Sequence, residues 1–119
     1  MEVVKITASK PLRQIVSNTQ ERNVAKSLNG IRTVNSGATP FIKGDVIVGQ
    51  VIIECKTTTK EQSSMAVRKS WIDEINEEKI GMGKALSAVA ISFDMGENNY
   101  YVIDENAMKM LIDLVNDGG

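Results

Sequence analysis

The chain has 119 residues, 42% of them hydrophobic and 24% charged, with a formal net charge of −1, which suits one globular domain with a single core. It has no histidine and a single cysteine, Cys55, which excludes an internal disulfide, histidine-based acid–base catalysis and the common zinc sites. No apolar run approaches the roughly 20 residues of a membrane span, and the first residues lack the long apolar segment of a secretory signal, so a cytoplasmic protein is expected.

Residues 1–16 open with the apolar run Val3-Val4-Lys5-Ile6 and continue through Lys10-Pro11-Leu12-Arg13, a pattern open to a short strand, an arm or a flexible terminus. A helix is expected over 18–29, with Asn18 or Thr19 as its cap, Val24 and Leu28 on its apolar stripe and Gly30 as its stop. Glu21 would then lie in the first turn, where an acid complements the helix dipole. A short strand follows over 31–34, and then a small-residue loop over 35–40. Beyond the polar stretch after Lys56, a helix is expected over 64–80, with Val67, Trp71 and Ile75 at helical spacing. Gly81-Met82-Gly83-Lys84 reads as a turn, 88–93 as a buried strand and 100–103 as its partner. A last helix from Asp104 carries Met108, Leu111, Ile112 and Val115. The order is αβββαββα, an α/β sandwich around a mixed sheet.

The most informative segment is Gly44-Asp45-Val46-Ile47-Val48-Gly49-Gln50-Val51-Ile52-Ile53-Glu54-Cys55-Lys56. Two Val/Ile-rich runs meet at Gly49-Gln50, which fits a two-residue hairpin turn. That turn pairs Val48 with Val51, Ile47 with Ile52, Val46 with Ile53 and Asp45 with Glu54. Side chains alternate along a strand, so Glu54 and Lys56 share one face and Cys55 points to the other, apolar one. Carboxylates directly opposite in a ladder repel, and a divalent cation would offset that repulsion. Paired hard oxygens suit Mg²⁺ or Mn²⁺, with Lys56 placed to orient a water or stabilise charge on a phosphate. A second reading also fits these residues: Asp45 opens a strand at a turn, and Glu54 and Lys56 form a solvated edge.

Charge is distributed unevenly. Residues 1–70 hold 11 Lys/Arg against 5 acids, a balance of +6, and residues 71–119 hold 3 against 10, a balance of −7. A basic face around an acidic site suits a phosphate backbone. The residues expected on it are Arg22, Arg32, Ser36, Lys43, Lys60, Arg68 and Lys69. With aromatic residues at only 4%, a stacking platform for single strands is not expected.

An aspartate, a short hairpin and then Glu-x-Lys resembles the signature of the PD-(D/E)XK nucleases. The longer stretch from Glu21 through Ser36-Gly37 to Lys56 is similar to archaeal and phage Holliday junction resolvases. The residue before the aspartate, usually proline in that family, is Gly44 here. The resemblance implies a restriction-endonuclease-like, three-layer α/β sandwich and a Mg²⁺-dependent endonuclease, with Mn²⁺ as a substitute metal. It places Glu21, Asp45 and Glu54 as metal ligands and Lys56 beside the attacking water. It further implies branched DNA as substrate, a homodimer, and the cytoplasm of a prokaryote or a phage-infected cell. A general exonuclease or nicking enzyme of the same fold, a restriction-type enzyme and a non-catalytic DNA-binding module are the alternatives.

Overall fold

The computed structural model describes residues 11–33 and 44–118. The expected strand or arm within residues 1–10, the loop over 35–40 with Ser36-Gly37, and Lys43 lie outside the described residues. Among the described residues, three helices and five strands follow in the order α1 (Leu12–Leu28), β1 (Ile31–Arg32), β2 (Val46–Val48), β3 (Val51–Thr57), α2 (Lys69–Gly81), β4 (Leu86–Ser92), β5 (Tyr100–Val102) and α3 (Glu105–Asn116).

The first helix starts six residues earlier than its expected cap. Pro11 sits at its N-cap with φ −60° and ψ 147°, a conformation that proline favours and that leads into a helix without requiring an N–H. Thr19, read from sequence as a cap, instead donates its hydroxyl to the Ile15 carbonyl one turn back, at 3.0 Å. Residues 12–16 are therefore helical rather than part of an arm, and Glu21 lies in mid-helix rather than in the first turn. The far end closes on Asn29, held in the left-handed region at φ 58°, while the Gly30 N–H reaches back to the Ala25 carbonyl at 2.8 Å.

The strands form one mixed sheet in the order β1-β2-β3-β4-β5. The β2–β3 hairpin has the register expected from its turn, Val48 with Val51, Ile47 with Ile52 and Val46 with Ile53. Strands β3 and β4 are parallel, with Val51 beside Leu86 and Thr57 beside Ser92. Parallel neighbours require a crossover, which α2 supplies. Strand β5 then pairs antiparallel with β4, Val89 facing Val102.

Each face of the sheet has its own core. On one side Val24 and Ala25 of α1 pack on Val46, Ile53, Ala88 and Ala90, with Cys55 at the margin. On the other, Ile75 of α2 packs on Ile52, Val89 and Ile91, with Trp71 and Ile72 alongside. Helix, sheet and helix make three layers. Strand β4, covered on both sides, is buried along nearly its whole length, as a parallel central strand should be.

Helix α2 begins at Lys69, not near residue 64. Its approach is irregular backbone, in which Thr58 and Gln62 donate N–H groups to Ser92 and Phe93 at 3.1 and 2.8 Å and Met65 packs against the second core. Helix α3 is capped by Asp104, whose Oδ1 accepts the Ala107 N–H at 2.9 Å, yet only Ala107 is buried. Its other apolar residues stay open to solvent, Leu111 at 42% and Val115 at 74%.

Gly96, in the β4–β5 turn, has φ +88°, and a Cβ there would stand 2.7 Å from the backbone nitrogen of Gln20. Gly96→Ala should therefore lose about 2–4 kcal/mol from left-handed strain plus overlap. Gly81→Ala, at the end of α2 with nothing within 4 Å of the added Cβ, should be neutral or gain up to about 1 kcal/mol. Urea unfolding of the two variants beside wild type, followed by circular dichroism, checks both signs.

Candidate active site

Asp45 lies where the hairpin ladder ends. Its backbone N–H donates to Ile53 O at 2.8 Å, and its Oδ2 accepts the Cys55 N–H at 2.7 Å, so the carboxylate takes the place of the next ladder bond. Its carbonyl accepts the Thr33 N–H at 3.0 Å. This corrects the expected pairing: Asp45 does not stand square across from Glu54 but turns in toward the edge of β3. The turn is made at Gly44, at φ +77°, where a Cβ would lie 2.6 Å from Ile52 Cγ1. A proline, locked near −65°, has no access to this backbone, so Gly44 is more than a softer version of the residue usual in the resembling family.

Glu54 and Lys56 share the α2 face of β3, as alternation requires. Lys56 Nζ lies 3.6 Å from Glu54 Oε2 and 5.1 Å from the centroid of Trp71, which confines the ammonium between a carboxylate and a ring face. Burial, followed by the charge of Asp45, pushes the Glu54 carboxyl up to about 7, against the pull of Lys56. Asp45 is raised too, again mainly by burial, with the Cys55 N–H, Lys56 and Arg32 opposing. Cys55, on the opposite face, has its thiol pushed up by burial and then by the charges of Asp45, Glu21 and Glu54, and so stays protonated and inert.

Glu21 arrives from the other layer, on α1. Its Oε1 accepts from Arg32 Nη2 at 2.9 Å, and Asn18 Oδ1 takes a second bond from the same nitrogen at 3.2 Å. Burial raises the Glu21 carboxyl, Asp45 adds to the rise and Arg32 opposes it. The rim at the end of β2 thus gathers Glu21 from one face of the sheet and Glu54 from the other, with Asp45 electrostatically coupled to both.

Two features were missed at the level of sequence. Gln20, fully buried, sends Nε2 to Lys56 O at 2.9 Å, Ala90 O at 3.2 Å and Asn99 Oδ1 at 2.9 Å, tying α1 to the strand that carries Glu54 and Lys56. A groove of about 740 Å³ runs from Pro11 along Arg13, Gln14, Ser17 and Asn18 to Glu21, Arg32, Thr33 and Asp45. The spacing of 13, 17 and 21 was the available signal, and it becomes visible only with a helix that starts at Leu12.

Of the residues expected to bind DNA, Arg32 borders this groove but is engaged by Glu21. Arg22 Nη2 meets Thr19 Oγ1 at 3.4 Å, Lys69 pairs with Asp73 at 2.8 Å, and Lys60 and Arg68 are exposed. None of these four lines the groove. Ser36 and Lys43 fall outside the described residues.

Among the described residues no set of three carboxylate or cysteine side chains is drawn together as a ready metal cage. The donor chemistry nevertheless fits a hard cation. Asp45 and Glu54 are two partly buried carboxylates, each raised mainly by burial and Glu54 also by the charge of Asp45, and Mg²⁺ is commonly held by one or two carboxylates with waters completing its shell. No protein-family model, curated protein or solved structure matches this chain.

The raised Glu54 carboxyl has a stability consequence of fixed sign. A carboxyl at about 4.5 unfolded and about 7 folded favours the folded state below 4.5, and that contribution is lost as pH rises through 7. Metal-free wild type should therefore lose more stability than Glu54→Gln between pH 5 and 8. At pH 8 the variant should be the more stable by on the order of 1–2 kcal/mol, allowing for solvent screening. Denaturant melts of both proteins at the two pH values measure the difference.

Proposed function

We propose that this protein is a Mg²⁺- or Mn²⁺-dependent DNA endonuclease of the PD-(D/E)XK type, selective for branched DNA such as a four-way junction and working as a homodimer in the cytoplasm. The observation that carries the reading is the position of Asp45, which lines one groove with Glu21 and accepts, at 2.7 Å, the N–H of Cys55, the residue between Glu54 and Lys56 on β3. The element order αβββαββα and the helix–sheet–helix layering are compatible with a restriction-endonuclease-like core. Junction preference and two-fold assembly rest on the resemblance alone.

Asp45 and Glu54 would hold the cation, and Glu21, now bound to Arg32, would complete the acidic rim. A bound divalent ion supplies Lewis-acid polarisation of the phosphoryl oxygens and a more acidic water. The residues do the rest. Asp45 is immobilised by the Cys55 N–H, which fixes the direction of its remaining oxygen. Lys56, seated between Glu54 and Trp71, has an ammonium placed to orient a water for in-line attack on the phosphorus or to stabilise the developing oxyanion. Arg32, 2.9 Å from Glu21, opposes the rise that burial imposes on its carboxyl.

Wild type with Mn²⁺ should place paired, symmetric nicks in a synthetic four-way junction and leave linear duplex and single strand largely intact. Asp45→Asn should lower that rate on the order of 100-fold or more while still binding the junction. Cleavage of every substrate would make it a general nuclease, and junction binding without any Asp45-dependent cutting would leave a DNA-binding module. A second readout needs no DNA. At a hundred times its Kd, Mn²⁺ should stabilise wild type by about 2.7 kcal/mol and should stabilise Glu54→Gln much less, as calorimetry will show.

A further inference from the structure

We infer that the groove along the first three turns of α1 seats the phosphate backbone of a nucleic-acid strand, with Arg13 binding a phosphate a few nucleotides away from the one at Asp45. The inference rests on the nuclease reading, and adds a binding residue and a strand direction to it.

The groove has opposite character at its two ends. The carboxylates of Glu21 and Asp45 close one end, and Arg13 stands at the other. Arg13 is exposed and has no ion-pair or hydrogen-bond partner among the described residues, whereas Arg32, the other guanidinium of the groove, is held through Nη2 by Glu21 and Asn18. Between the ends lie the uncharged hydrogen-bonding side chains of Gln14, Ser17 and Asn18. Such groups suit sugars and phosphate oxygens better than an apolar ligand. The first turn of α1 has no side-chain cap and no acid, so nothing there offsets the positive end of the helix dipole beside Arg13.

Length selects a polymer over a small anion. Arg13 and Glu21 are eight residues apart, about 12 Å along the helix axis. One duplex strand advances about 3.4 Å along its axis per phosphate, and an extended strand somewhat more. A chain with one phosphate at the acidic end therefore presents another to Arg13 two to four nucleotides away. A lone phosphate or a nucleoside monophosphate does not reach both ends.

The test uses the full chain and a four-way junction in which the bond cut by wild type has first been mapped. Single neutral methylphosphonate linkages are placed at each position within five nucleotides on either side of that bond. Junction binding is read by fluorescence anisotropy for Asp45→Asn and for Asp45→Asn with Arg13→Gln. One linkage two to four nucleotides from the cut, on one side only, should weaken the single variant about five- to tenfold and the double variant less than twofold. The slope of log affinity against log salt should fall by about one in the double variant. Arg13 is exposed, so both proteins should melt together, and a matched melting profile is required before comparison. Identical interference profiles in the two backgrounds would overturn the inference and leave the nuclease reading standing. If wild type cuts no DNA at all, the two fall together.

Discussion

The arrangement of the whole molecule turns on one buried amide. Gln20 is fully enclosed, and the two hydrogens of its NH₂ group are shared among three acceptors, the carbonyls of Lys56 and Ala90 and the side chain of Asn99, drawn from β3, β4 and the turn beyond β4, while its Oε1 has no partner among the described residues. These bonds lock α1 in rotation and in height over the sheet, because a polar group left unpaired in the interior costs about 1–3 kcal/mol. Gly96 completes the lock by letting the turn approach the Gln20 backbone, and its carbonyl accepts the Asn23 amide at 2.8 Å. Glu21 is the next residue along the helix and Lys56 is the residue whose carbonyl is held. The distance between the two layers of the candidate site is therefore set by hydrogen bonds that involve neither acid.

The electrostatics of the rim follow from that placement. Three carboxylates from separate elements are partly desolvated, and burial is the main cause that raises each of them. Two cations bracket them. Arg32 answers Glu21 at 2.9 Å and Lys56 lies 3.6 Å from Glu54, while Asp45 between them has a backbone N–H as its nearest donor. The middle acid is thus the one held by a backbone N–H rather than by an ion pair among the described residues. Arg32, which sequence charge alone would assign to a phosphate, does its work inside the protein.

What could be read in advance divides by the range of the interactions. The β2–β3 hairpin was legible to the residue, because a two-residue turn at Gly49-Gln50 leaves one register for Val46, Val48, Val51 and Ile53. Strand β4 and its partner β5 were legible from their apolar runs, as was a last helix beginning at about Asp104. The start of α1 was hidden because Asn18 and Thr19 look like caps, and only the chain elsewhere decides otherwise: Asn18 accepts from Arg32, and Thr19 bonds back along the helix. The approach to α2 was misjudged because its backbone is tied to Ser92 and Phe93, some thirty residues away. Asp45 does stand at the end of the hairpin, but one ladder step less regular than expected, since a strand pattern does not reveal where pairing stops. Gln20 gave no local sign at all, its acceptors lying 36, 70 and 79 residues further on.

The chain contains a single tryptophan, and it is the ring on which Lys56 rests, 5.1 Å from ammonium to centroid. Trp71 also packs against the core between α2 and the sheet, so its indole is at once partly dry and next to a charge. An indole's emission responds to the electric field across it, and moving or neutralising that ammonium changes the field directly. The protein therefore carries a native optical gauge of its own rim: whatever displaces Lys56 from Glu54, whether a cation, a phosphate or a proton, must register in the colour and intensity of one chromophore, with no label attached.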